Sequence, residues 1–148
     1  SSAASDVYKR QALSQDVDVS FIDVQSDRIA EIQSEADVLL LPLLPKVALR
    51  ALPSKFPAYL FSGKPVLACV EDESDVAEIV RSGKCGWIIP PQKRLQLAKT
   101  MQRIAHIDRR ELQEMGRSGY EYSQKHLTRE INLRKLANIV FAAAEKQR

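Results

Sequence analysis

Lys46, Arg50 and Lys55 bracket the dipeptide Pro53-Ser54 within ten residues, and no acid stands among them. Three cations around a hydroxyl could hold an anion. If Ser54 opens a helix, its first backbone N–H groups lack partners and the positive end of the helix dipole faces outward. A phosphate or diphosphate would then meet backbone donors from the 54–56 turn, the Ser54 hydroxyl and a nearby cationic side chain. An equally open reading is that Ser54 only caps the helix and the basic side chains are solvated.

Other reactive residue types suggest less. Cys69 and Cys85 lie in apolar stretches without Cys or His at metal-ligand spacing, so two buried thiols and no metal site are expected. His106 and His126 fall at the ends of expected helices, where a cation suits the dipole, and are read as structural. Glu71, Asp72, Glu73 and Asp75 cluster after an expected strand and are read as the acidic first turn of a helix. Trp87 begins an apolar strand and is expected in the core. The tail cations Arg129, Arg134, Lys135, Lys146 and Arg148 are interspersed with acids and read first as a solvated helix face.

These residues need a scaffold. The 148 residues, 45% hydrophobic and 28% charged, suit one folded domain or one piece of a larger protein. No apolar run approaches about 18 residues, so a membrane span is not expected. The net charge of +3 is too small, and the charges too interleaved, to argue for a nucleic-acid partner. The expected location is the cytoplasm, with peripheral contact at the inner face of the membrane left open for the full-length protein. Residues 1–11, SSAASDVYKRQ, carry no apolar period and read as a non-native leader, with an ordinary polar turn as the alternative; residues 12–148 form the domain.

Along the domain, Val17–Val24 alternates as a strand, and Ser26 or Asp27 can cap a short helix through Glu35. Val38–Leu44 is a continuous apolar run of the kind buried on both faces of a parallel sheet, and is expected to be the central strand. A helix from Ser54 to about Ser62 ends at Gly63, and Pro57 is tolerable in its first turn. Then follow a strand at Pro65–Val70, a helix at Glu73–Ser82 and a strand at Gly86–Ile89 stopped by Pro90-Pro91. Three helical stretches close the chain, near 92–107, 109–125 and 128–146. The alternation predicts an α/β fold, a Rossmann-like open parallel sheet with helices on both faces and a helical tail. Ligands in such sheets lie beyond the carboxyl ends of the strands, which points to 24–27, 42–55 and 70–74.

The segments AD-VLLLP, PSK-x-x-A-Y-L-x-S-GKPVLA and EIV-x-SGKCGWIIPP, in that order and followed by a helical tail, resemble the C-terminal half of GT-B glycosyltransferases of the family 4 type. The likeness spans about Val17 to Ala144. PSKFPAYLFSGKP (Pro53 to Pro65) is similar to a pattern of bacterial amino-sugar transferases that build O-antigen and capsule. The resemblance implies a nucleotide-diphospho-sugar donor, usually a UDP-sugar, a retaining reaction without a metal or other cofactor, and an acceptor held by a separate N-terminal half. By position Ser54, Lys55 and Arg50 would take the donor diphosphate. Pro53 and Tyr59 would shape the pocket, and Val24 and Gln25 would meet the base through the main chain.

Two departures bear on that implication. Arg50 and Ala58 stand where the wider family carries two glutamates, the second of which grasps the ribose hydroxyls. Ala58 cannot accept a hydrogen bond, and losing such a contact costs about 1.5–3 kcal/mol of donor affinity unless another group substitutes. Asp23 replaces a usual glycine and puts an acid near the expected base. The family's first strand of this half, the basic residues after it and the acceptor half have no counterpart in the chain, so a hexosyltransferase-type full-length enzyme and an inactive fragment are expected, with no catalytic residue assigned here. The alternative is a non-catalytic or degenerate nucleotide-binding regulatory module. Its receiver-like form is disfavoured because Asp23 alone is suitably placed among the acids such a site needs.

Overall fold

The computed structural model describes residues 20 and 22–145. A 3-10 turn at Ser26–Arg28 leads into α1 (Ile29–Glu35), followed by β1 (Leu39–Pro42), α2 (Lys55–Phe61), β2 (Val66–Cys69), α3 (Asp75–Ser82), β3 (Gly86–Ile89), α4 (Arg94–Ile104), α5 (Arg109–His126) and α6 (Arg129–Glu145). The three strands are parallel in the order β1-β2-β3, with Leu39 opposite Val66 and Val66 opposite Gly86. This is a Rossmann-like α/β arrangement.

Strand parity divides the core, since alternate side chains point to opposite faces. Leu41, Val66, Ala68 and Val70 join Phe56 and Leu60 of α2 and Val76, Ala77 and Val80 of α3 in one sealed cluster. On the other face Leu40 and Leu67 approach Met101 and Ile104 of α4. Helices therefore cover both faces. α3 starts where it does because the Ser74 hydroxyl accepts the Ala77 N–H at 3.2 Å, and the Asp108 carboxylate starts α5 by accepting the Arg110 N–H at 2.8 Å. α2 stops at Gly63, which takes φ 69°. α5 then lies against that turn: a Cβ on Gly116 would stand 2.0 Å from the Gly63 carbonyl oxygen, so only glycine permits the approach.

Three expectations need correction or lie out of reach. The expected leader at 1–11 lies outside the described residues, as do 17–19 and 21 of the expected first strand. The described remainder, Ser20 and residues 22–24, pairs with no strand, and Ile22 is 68% exposed, so its alternation buries no face here. Among the described residues, the run at 38–44 is not central. β1 is an edge of the described sheet with Leu40 exposed, whereas all four residues of β2 are buried and make it the central strand. A continuous apolar run reports low polarity, not which neighbours arrive on either side.

Candidate functional site

The carboxyl ends of β1 and β2 open into two loops, 43–54 and 70–74, which form the ligand end of the sheet. The first loop is built of consecutive turns, with Val47 N–H donating to the Leu44 carbonyl and Arg50 N–H to the Val47 carbonyl, each at 3.2 Å. Buried Ala48 anchors it to the core. Lys46, Arg50, Ser54 and Lys55 are exposed, and no ion pair among the described residues engages the three cations. Of the expected diphosphate residues, Arg50 lies on the loop and Ser54 and Lys55 stand at the start of α2.

Ser54 itself differs from the capping reading. It already has helical dihedrals, φ −60° and ψ −27°, and its hydroxyl makes no cap hydrogen bond. The Phe56 N–H is occupied by the Pro53 carbonyl at 3.0 Å, so the 54–56 turn offers an anion fewer backbone donors than expected. The side chains of Ser54 and Lys55 would have to contribute more. Pro53 is half-buried at the turn. Tyr59, one turn beyond Lys55, packs its half-buried side chain against the core cluster.

Val24 and Gln25, together with Ile22, Asp23, Arg28 and Ile32, line a cavity of about 280 Å³. A larger apolar cavity, about 440 Å³, lies between Leu40 and Leu67 of the sheet and Met101, Ile104 and Ile107 near the end of α4. None of the expected donor residues lines it.

The acidic run after β2 is not simply a helical first turn. Asp75 and Glu78 occupy the first turn of α3, but Glu71 and Asp72 precede it. The Arg81 guanidinium donates to the Asp72 carbonyl, and one Glu71 carboxylate oxygen accepts the backbone N–H of Lys46. Sequence reasoning missed this second bond because its partners stand 25 residues apart and share no local pattern. Among the described residues no group of three or more His, Cys, Asp or Glu side chains is gathered to hold a metal ion.

The remaining reactive types sit in structural settings. Cys69 and Cys85 are free and buried. Burial raises both thiols, Cys85 to about 11, so neither is a thiolate nucleophile at neutral pH. His106 Nδ1 lies 2.7 Å from the Gln102 carbonyl just past α4, and His126 ends α5 with its ring 4.4 Å from that of Tyr122. Trp87 is half-buried in β3. Among the described residues no helix is long and apolar enough to cross a membrane.

Residues 2–106 match the family model described as glycosyl transferases group 1, well over half of the chain. No curated protein and no solved structure matches it.

Proposed function

Because this chain belongs to the group 1 glycosyl transferases, we propose that it binds the nucleotide-diphospho-sugar donor, a UDP-sugar, for transfer of a hexosyl group to a polysaccharide or lipid-linked acceptor. Family membership is the observation that carries this reading. The ligand end of the parallel sheet supports it by presenting Arg50, Ser54 and Lys55 together with no competing ion pair among the described residues. The family 4 type and a role in surface-polysaccharide synthesis belong to the same proposal, and rest on the PSKFPAYLFSGKP segment.

In such a transfer the bond between the sugar and the diphosphate breaks, and negative charge builds on the departing diphosphate oxygens. Lys55 and Arg50 would oppose that charge and the Ser54 hydroxyl would donate to one oxygen, all from a site that needs no metal. Chemistry also needs an acceptor hydroxyl positioned opposite, which we assign to a separate N-terminal half working in the cytoplasm, in peripheral contact with the inner face of the membrane if the acceptor is lipid-linked. The 148-residue chain alone is accordingly inactive, and sugar transfer by it would refute that statement.

Calorimetric titration with UDP, GDP and uridine monophosphate tests the donor site. UDP is expected to bind best, and Lys55→Ala or Ser54→Ala to weaken it about tenfold, equivalent to about 1.4 kcal/mol. A folded chain that binds none of these nucleotides, or binds them indifferently to both substitutions, overturns the site. Arg50 and Ala58 in the places of two glutamates favour a second reading, a degenerate nucleotide-binding module. Nucleotide binding by a full-length protein that transfers no sugar would select it.

A further inference from the structure

Glu71 has no part in the donor site as described so far, yet it stands at the ligand end of the sheet, two residues past the central strand β2. Its Oε1 accepts the Lys46 N–H, so it bridges the β2–α3 loop to the β1–α2 loop. Its Oε2 is buried with no hydrogen-bond partner, the one such side-chain atom among the described residues. Lys46 holds φ 67°, a left-handed conformation that residues bearing a Cβ avoid, so local preference does not set the path of this loop. The grip on its amide is one hold on that path, beside the loop's own turn hydrogen bonds and buried Ala48.

The gripping group is itself fixed. The Glu71 carbonyl accepts the Ser74 N–H at 3.1 Å and the Ser74 hydroxyl at 2.6 Å, and Ser74 in turn caps α3. A carboxylate facing a diphosphate would repel it, whereas a carboxylate spent on an amide shapes a loop without meeting the anion. The loop so shaped carries Lys46 and Arg50 and leads directly into Ser54 and Lys55.

We propose that Glu71 is a positioning residue: by holding the Lys46 amide it sets the 45–53 loop so that Lys46 joins Arg50, Ser54 and Lys55 in receiving the donor diphosphate. The proposal rests on the donor-binding reading above.

The test compares the 148-residue chain with Glu71→Ala and Glu71→Gln, titrated with UDP, inorganic pyrophosphate and uridine, and follows hydrogen exchange at the Lys46 amide. In Glu71→Ala, UDP and pyrophosphate affinity is expected to fall about tenfold, uridine affinity to hold, and Lys46 exchange to quicken. Glu71→Gln keeps an oxygen that can accept the amide, and should stay within about threefold of the parent with slow Lys46 exchange. Pyrophosphate binding unchanged in Glu71→Ala, equal loss in both variants, or an equal fall in uridine affinity would each overturn the positioning role while leaving the donor site standing. A parent chain that binds neither UDP nor pyrophosphate overturns the donor reading and this proposal with it.

Discussion

Among the described residues, one face of the sheet is sealed and the other is not. Towards α2 and α3, Phe56, Leu60, Val66, Ala68, Val70 and Val76 are fully buried. Towards α4, Leu67 and Ile89 are buried, but Leu40 is 40% and Met101 50% exposed, beside a cavity of about 440 Å³. Close packing gains dispersion contacts that a half-filled face forfeits. The stability of the described structure is therefore concentrated where α2 and α3 lie, and these two helices carry the loops of the ligand end. The proposed donor site rests on the tight side of the molecule, and changes on the loose side should leave it in place.

The widest separation between the faces should come from truncating a core ring. Phe56→Ala, measured by urea unfolding, is expected to cost about 3–5 kcal/mol, because the site is fully enclosed and cannot collapse. Gly116→Ala should follow, at about 3 kcal/mol, since the new methyl meets the Gly63 carbonyl and α5 must lift away from α2. A Gly116→Ala protein as stable as its parent would show that α5 is no part of the sealed side.

An alkaline titration probes the same side through Cys85. Its thiol holds its proton to about 11 when folded, against 9.0 for the ordinary group, so above pH 9 the unfolded chain binds fewer protons. Stability should be full below pH 9 and fall as pH rises towards 11, by about 2 kcal/mol, and Cys85→Ala should flatten that part of the profile. Cys69, raised for the same reason, adds to the fall with the same sign. The smallest effect belongs to the loose face: Leu40→Ala should cost about 1 kcal/mol or less, as much of its side chain already meets water. A loss matching that of Phe56→Ala would erase the distinction.

Much of this architecture is legible in the sequence because its signals are local. β3 falls on Gly86–Ile89, as its flanking Gly and Pro residues indicate, and α4, α5 and α6 lie within a few residues of their apolar periods. The start of α2 beside Ser54 is likewise readable, although the hydroxyl does not cap it. What the sequence hides is pairing at a distance. Nothing in VLLLPLL distinguishes an edge strand from a central one, and nothing in EDESD marks Glu71 as the partner of an amide 25 residues away. α6 is likewise readable as a helix, yet Leu133, Leu136, Ile139, Val140 and Phe141 all remain more than half exposed. Periodicity announces a helix without naming what lies against it.

The sheet order has a consequence for how the chain acquires its shape. Each strand pairs with the next in sequence, at separations of 27 residues from Leu39 to Val66 and 20 from Val66 to Gly86. Such short loops close quickly, so during synthesis each strand can add to the one before it as soon as its connecting helix has emerged. α5 follows the sheet in the chain, and its two glycines settle onto a turn and a cysteine already in place. A nascent chain that has left the ribosome only as far as Asp108 would thus carry a paired but unlatched sheet, and one that has emerged through His126 a latched one.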